Sequence, residues 1–497
     1  MRPYPYKRSP YSHQTAALKL ALSLKKAALL MEPRTGKTKV AIDWMSALSL
    51  AGRLDRAVII APARVLDVWV HAFHDDCPVR YHLHIWDAKA RKFPPPKVSG
   101  NYDLSVVLVN YEAFSNSGAK LPSGLHSKKT GRFKNRALLE RWLEGQPAAC
   151  VLDESHKIKS PSAKMATMIV SMRDYFDYRL ILTGTPITKA KRVFDIHMQW
   201  KFLNPGRFSD CPTHEDFKNK FGEWGMSFAT GMPELKRLRN EELLTERIYM
   251  DSYRVKRDDC FDLPARTTVI QKIKLGSKTG DAYDELAKEM VAQIEHDTKT
   301  HTVEASIPLV LTLRLTQILG GFATVAATDE SLDKRVIPVG REKLEALEAL
   351  VDEAIENDEK MVIAARFKPE MDAITTLIER KNVPVYEVRG GLSRSIVTDG
   401  ISAFKDEIGT AFMVIQPQAG GVGIDLSTAA QMVWYSLTSS WVDYTQACDR
   451  IALSEKATTY TYLLAENTVD EILYQALQDD GDVSEAILRD PRKVLRT

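Results

Sequence analysis

Gly36, Lys37 and Thr38 stand between a short apolar run, Ala27-Ala28-Leu29-Leu30, and a segment, Val40-Ala41-Ile42-Asp43-Trp44-Met45, whose apolar residues recur at helical spacing. A strand, a turn and a helix in that order make a place for phosphate. Gly36 lets the backbone aim its N–H groups at an anion, Lys37 brings a point charge to the β- and γ-phosphates, and the Thr38 hydroxyl can ligate magnesium at the helix start. Arg34 and Thr35 complete the turn. The fit to GxxxxGK[ST] is incomplete, because Met31 stands where the first glycine belongs. Downstream, Ala148-Ala149-Cys150-Val151-Leu152 reads as a buried strand that delivers two adjacent carboxylates, Asp153 and Glu154. Asp153 can hold magnesium, and Glu154 is placed to take a proton from a water attacking a γ-phosphate. An exposed acidic strand cap is the bland alternative, and it leaves the upstream Gly-Lys-Thr unexplained.

These side chains need a scaffold of parallel strands, and the rest of the sequence supplies one. The runs Ala57 to Ala61, Ser105 to Val109, Ala148 to Leu152 and Tyr178 to Leu182 are short and apolar, alternate with helical patterns and so predict a parallel α/β sheet. In such a sheet the loops at the strands' carboxyl ends face the ligand. Arg64 and Tyr111 follow two of these ends and are assigned to nucleic acid; a solvated loop arginine is an equal reading of Arg64. Thr183-Gly184-Thr185 follows a third end, where small hydroxylated residues can relay the state of a bound nucleotide. Ahead of the first helix, Gln14 carries both a donor and an acceptor, matching the edge of adenine. A helix cap is its alternative.

With 497 residues, 44% apolar and 27% charged, the chain has the composition of a globular protein with about three units of ordinary domain size. No long apolar run is free of charge, so no membrane segment is expected. The N-terminal stretch lacks a signal-peptide core and the five cysteines are scattered, which leads us to expect a reducing cytoplasm, in a bacterium or a virus-infected cell, and no structural zinc. Net charge is only +3, so nucleic-acid contacts must come from local patches. One patch is the run from Ser117 to Arg136, which has no acidic residue and includes Lys128, Lys129, Arg132 and Lys134. It can neutralise backbone phosphates or merely solubilise a loop.

The motifs PYSHQ, GKT, APARVLDVW, DESHKIKS and LTGTPI, in this order, resemble the first lobe of the superfamily-two helicase-like ATPases, and of their Swi/Snf-like branch in particular. That branch also has a non-glycine residue at the position of Met31, whereas Arg34 replaces its usual glycine. Farther on, Gln418 to Leu426 resembles the branch's AGGxGxNL, with Gly423 retained and Asp425 in place of asparagine. Gln446-Ala447-Cys448-Asp449-Arg450 resembles its QAxDRxHRxGQ, with Leu453 at the position of the second arginine.

The resemblance implies two RecA-like parallel-sheet lobes with a helical insertion between them: residues 1–205 as the first lobe, 206–340 as insertion and hinge, and 341–497 as the second lobe. It implies ATP and magnesium as cofactors, with ATP between the lobes. Gln14, Arg34, Thr35, Gly36, Lys37, Thr38, Gly423, Asp425 and Arg450 would bind nucleotide. Thr38 and Asp153 would hold the metal, Lys37, Asp153, Glu154 and Arg450 would act in catalysis, and His156, Thr183, Gly184, Thr185 and Gln446 would couple. Arg366, at the end of a second-lobe strand, joins the nucleic-acid set. The implied activity is a nucleic-acid-stimulated ATPase that moves along duplex DNA, with no protein partner identified. A strand-separating DNA or RNA helicase, a weakly hydrolysing ATP-switched binding module and a subunit of a restriction or repair assembly are the alternatives.

Overall fold

A computed structural model describes residues 4–86, 102–114, 134–184, 193–226, 233–261, 265–299, 306–325, 335–419, 424–452, 454, 456–479 and 491–495. The chain divides into two compact units, one built mainly from residues up to 262 and the other mainly from residue 263 onward. Among the described residues no helix is long and apolar enough to cross a membrane.

The first unit is a seven-stranded parallel sheet. Its strands are β1 (Lys26–Met31), β2 (Arg56–Ala61), β3 (Tyr81–Ile85), β4 (Leu104–Asn110), β5 (Ala148–Asp153), β6 (Tyr178–Leu182) and β9 (Ser252–Val255), in the spatial order β3-β4-β2-β5-β6-β1-β9. Strands β1, β2 and β5 are buried on both faces, which is why they read as continuous apolar runs and do not alternate. The neighbours β5, β6 and β1 stand side by side, in register Leu152↔Ile181 and Ala28↔Ile181. Their carboxyl ends therefore bring the phosphate loop, the acidic pair and the Thr183 turn to one edge of the sheet. A two-stranded ribbon, β7 (Gly222–Met226) with β8 (Pro233–Leu238), stands in the sequence between the helices His214–Phe221 and Glu241–Tyr249.

The second unit is a six-stranded parallel sheet of β10 (Arg266–Ile273), β13 (Met361–Ala364), β14 (Val385–Val388), β15 (Phe412–Ile415), β16 (Gln431–Trp434) and β17 (Thr458–Ala465), ordered β10-β17-β16-β13-β15-β14. Alternation along β13 sends Val362 and Ala364 into one apolar cluster and Met361 and Ile363 into the other, so the sheet is covered on both faces. A short antiparallel ribbon, β11 (Phe322–Val325) with β12 (Arg335–Pro338), completes the strands. The two parallel sheets are the two RecA-like lobes expected from the sequence.

Residues 206–340 divide between the two units. The helices predicted near 283–294 and 307–319 form, as Ser277–Lys299 and Ser306–Leu319, and Tyr283, Met290, Leu315 and Leu319 pack into the second unit's core. Six strands inside this region escape the pattern reading, and two of them, β9 and β10, join the parallel sheets. Strand β9 has only four residues, and β10 is an edge strand exposed along most of its length, so neither carries the apolar run of an interior strand. Each extends a sheet, β9 beside β1 and β10 beside β17.

Candidate functional site

Strand β1 ends at Met31, and five residues separate it from the helix Lys37–Leu50. Met31 is fully buried and its φ is not positive; the position where the loop pattern calls for glycine is a strand residue that packs in the core. Gly36 caps the helix at φ +85°, and a Cβ there would lie 2.1 Å from Gln14 Nε2, so both conformation and space require glycine. Arg34 also adopts the left-handed region, at φ 66°, taking a glycine conformation at a cost on the order of 1 kcal/mol. The Lys37 ammonium is drawn back onto the loop, donating to the carbonyls of Met31 at 2.7 Å and Glu32 at 3.2 Å. Thr38 occupies the helix's first turn, half-buried.

Gln14 ties the first helix to this loop. Its Nε2 donates to the Thr35 carbonyl at 3.2 Å and its Oε1 accepts from the Tyr11 N–H at 3.0 Å, while His13 Nε2 lies 2.9 Å from the same Thr35 carbonyl. The amide expected to face adenine thus already holds one backbone partner at each end.

Asp153 and Glu154 are buried beside the loop. Asp153 Oδ2 accepts from the Trp69 indole N–H at 2.9 Å, and its carbonyl accepts from the Tyr111 hydroxyl at 2.8 Å. Burial and the neighbouring Glu154 charge push the Asp153 carboxyl up to about 6, against the Trp69 hydrogen bond and the Lys37 charge. Burial acts on Glu154 too, but the hydrogen bond and charge of His156 outweigh it and hold this carboxyl below its ordinary value; the His156 Nδ1 to Glu154 Oε2 distance is 3.2 Å. Glu154 sits at φ 53°, a strained backbone for an acidic residue, and Ser155 behind it donates to Gln199 Oε1 at 2.6 Å. Two buried carboxylates, one disfavoured as an anion by the other, are a donor set that a divalent cation would relieve, and the chemistry of Asp153 fits a magnesium ion on that ground.

His156 Nδ1 also lies 3.4 Å from Thr183 Oγ1. The Thr183 N–H donates to the Leu29 carbonyl at 3.1 Å, and a Cβ on Gly184 would meet Pro33 Cδ at 2.7 Å. The expected coupling residues therefore run from the acidic pair to the floor of the phosphate loop. Thr185 lies outside the described residues.

In the second unit, Ser440 caps the helix Trp441–Cys448 that carries Gln446, accepting from the Asp443 N–H at 3.2 Å. Arg450 follows that helix, buried, and its carbonyl accepts from the Leu426 N–H at 2.9 Å, tying the last motif to the glycine-rich one. Asp425 pairs with Lys405 at 2.8 Å and accepts from the Ser427 N–H at 3.2 Å, holding its own turn. Gly423 and Leu453 lie outside the described residues.

The nucleic-acid set fares differently. Tyr111 is 1% exposed and cannot face nucleic acid, because a 3-10 turn (Tyr111–Phe114) after β4 folds the ring inward and its hydroxyl supports Asp153. Arg366 is half-buried after β13, its guanidinium 5.3 Å from the Phe367 ring centre. Lys128, Lys129 and Arg132 lie outside the described residues, as do the side chains of Arg64 and Lys134. Sequence reading missed Trp69 and Gln199; both act across long sequence separations, and only the tryptophan of APARVLDVW offered a signal.

Residues 13–320 match the SNF2-related domain, and residues 342–452 match the helicase conserved C-terminal domain. Protein CHROMATIN REMODELING 4 of Arabidopsis thaliana is 21% identical over 477 residues, taking in 91% of this chain and 20% of that protein. The DNA excision repair protein ERCC-6-like of Mus musculus is 21% identical over 526 residues, 94% of this chain and 40% of its own length. The chain thus spans between 20% and 40% of the length of these two relatives. Among solved structures, the Sulfolobus solfataricus SWI2/SNF2 ATPase core in complex with dsDNA is 21% identical, with 100% of this chain and 98% of that one covered and a TM-score of 0.40. The domain match over residues 13–320 takes in more than half of the sequence, and the chain belongs to the SNF2-related domain family, in the Swi/Snf-like branch of the superfamily-two helicase-like ATPases.

Proposed function

We propose that this chain is an ATP-driven motor that moves along duplex DNA without separating its strands. The observation that supports it most is the junction at the ends of β1, β5 and β6, where Lys37, Glu154 and Thr183 are joined through His156 and the turn at Gly184. Lys37 exchanges its loop carbonyls for phosphate oxygens, which is a short rearrangement of an already buried ammonium. Glu154, kept ionised by His156, accepts the proton of the attacking water. Thr38 and Asp153 would hold a magnesium ion, whose chemistry there would be to neutralise phosphate charge. Arg450 of the second unit supplies a further cation to the γ-phosphate, so hydrolysis waits on both units. The His156–Thr183 contact gives the acidic pair a path to the turn after β6, and through it the state of the phosphate loop reaches the nucleic-acid side.

Contacts to the track are mostly to phosphates, from Arg64, Lys128, Lys129, Arg132, Lys134 and Arg366, and binding is therefore salt-dependent and weakly sequence-specific. Phosphate release from ATP, measured side by side with duplex DNA, single-stranded DNA and RNA, tests the reading. Duplex DNA should stimulate most, and Arg450→Ala should remove that stimulation while leaving ATP binding in place. Stimulation by none of the three would end the motor reading, and a preference for RNA would move the track.

A further inference from the structure

Arg366, in the turn after β13, is held along its main chain and left free at its head. Its N–H is shared between Glu370 Oε2 at 3.2 Å and Ser436 Oγ at 2.8 Å, and its carbonyl accepts from Gln416 Nε2 at 3.1 Å. Ser436 belongs to the turn after β16 and Gln416 to the turn after β15, and Gln416 Oε1 accepts in turn from the Gly390 N–H at 3.0 Å, after β14. Because β16, β13, β15 and β14 are neighbours in that order, two side chains, Glu370 and Gln416, lace the carboxyl ends of four adjacent strands. The Arg366 guanidinium, by contrast, makes no hydrogen bond or ion pair among the described residues; it lies against the Phe367 ring. Burial disfavours its charge, and Glu370 and Asp443 favour it only through theirs.

Glu370 is the centre of this lacing. It stands in the first turn of the helix Lys368–Glu379, where a glutamate ordinarily reaches back to the N-cap N–H, and it does so here, accepting from Phe367 at 3.1 Å. A capping glutamate can do that from the surface. This one is 1% exposed, its Oε2 also takes the Arg366 N–H and the Ser436 hydroxyl, and a Cβ on Gly320 would run into its Oε1. Burying a carboxylate is costly, and a helix cap alone does not require it. What the burial achieves is local: the N–H groups of Arg366 and Phe367 belong to the two peptides that flank the Arg366 Cα, so one carboxylate oxygen fixes both and sets the direction in which that side chain leaves the chain.

We propose that Glu370 is a positioning residue for nucleic-acid binding: by fixing both peptides around Arg366 it aims that guanidinium at a backbone phosphate, while touching no nucleic acid itself. This rests on the reading of Arg366 as a phosphate contact. A half-buried guanidinium on a fixed main chain has less freedom to lose on meeting an anion than a side chain on a mobile turn, so Glu370 raises affinity without adding a contact.

Titrating the full chain with duplex DNA at several salt concentrations tests it. Arg366→Ala should weaken binding about tenfold and lower the slope of log affinity against log salt by about 1. Glu370→Met, of similar length but with no acceptor, should weaken binding by about 3- to 10-fold and lower the slope in the same sense. Glu370→Gln keeps an acceptor oxygen and should bind nearly as the wild type. The double variant Arg366→Ala, Glu370→Met should bind no worse than Arg366→Ala alone, because the second change acts through a side chain already removed. If urea midpoints show that Glu370→Met is unfolded, Gln416→Leu, which releases the Arg366 carbonyl, replaces it with the same expected order. Wild-type affinity in the variant used would overturn the proposal, as would losses that add in the double variant or an equal loss in Glu370→Gln. Wild-type affinity in Arg366→Ala would instead bring down the reading of Arg366, and this proposal with it.

Discussion

At the carboxyl end of the first sheet, Asp153 and Glu154 are buried side by side and answered mainly by groups that do not cancel their charge outright, the indole of Trp69 and the imidazole of His156. At the corresponding end of the second sheet, Lys343 Nζ lies 2.5 Å from Asp470 Oδ2, with both side chains buried, and donates also to the Tyr435 carbonyl. Beside that pair Glu370 Oε2 accepts from the N–H groups of Arg366 and Phe367 and from the Ser436 hydroxyl, knotting the turns after β13 and β16. Both ends spend burial on ionisable groups, but only the first leaves its carboxylates poised for an incoming cation. The second closes its charges on themselves. Buried charge alone does not mark a site; what matters is whether the protein has already neutralised it.

The comparison breaks first at Glu154. Glu154→Gln keeps a hydrogen-bond partner for His156 but cannot accept a proton, and DNA-stimulated turnover should fall by about 10²- to 10⁴-fold while ATP affinity persists. Turnover within a few-fold of wild type would move the general base elsewhere. In the second unit the expected loss is of stability. Asp470→Asn or Lys343→Met leaves one buried charge without its partner and should cost about 3–5 kcal/mol in urea unfolding. The paired Lys343→Met, Asp470→Leu variant should recover much of it. Single variants that unfold like the wild type would mean that the pair is not closed in solution.

Glu370 sharpens the contrast through pH. Burial pushes its carboxyl up to about 7, against the Ser436 and Phe367 hydrogen bonds and the Lys343 charge and with help from Asp470. The folded value lies above the ordinary 4.5, so between about 4.5 and 7 the folded chain holds more protons than the unfolded one and stability falls as pH rises. Glu370→Gln has no such ionisation. The stability of the wild type relative to this variant should therefore decline by up to about 3 kcal/mol from pH 4.5 to pH 8, read from urea midpoints across that range. Parallel pH profiles would show that Glu370 ionises freely.

Strands β1, β2, β4, β5 and β6, the phosphate turn and the acidic pair were legible because they depend on local pattern, apolar runs followed by a Gly-Lys-Thr turn or by paired carboxylates, whereas β3, half-buried along most of its length, and β16 were not read. Lys343 and Asp470 were not, since each sits at a helix start among other charged residues and reads as a solvated face until tertiary structure pairs them. Trp69 and Gln199 escape for a similar reason, as their partners Asp153 and Ser155 lie far along the chain. Strands β9 and β10 lack the interior pattern because they are sheet edges. Gln14 was read as an amide for the edge of adenine; the structure sets it against the Gly36 turn, and the backbone partners that occupy it are invisible without coordinates.

Tyr111 carries the smallest expected effect and the cleanest choice between the two kinds of reading. Its place after β4 made it a candidate for nucleic acid, because parallel strands present their carboxyl ends to ligands. That rule locates the turn and not the side chain, and here the side chain turns inward. Burial, with the charges of Asp153 and Glu154 nearby, pushes its hydroxyl well above the ordinary value, so it stays a donor to the Asp153 carbonyl at any working pH. Tyr111→Phe keeps the packing and removes one hydrogen bond, which should lower stability by about 1 kcal/mol. Turnover should drop a few-fold as the acidic pair loosens, with DNA affinity and its salt dependence unchanged, since no part of the ring is available to a phosphate. A variant with weaker DNA binding and full basal turnover would reverse that assignment and return Tyr111 to the nucleic-acid face.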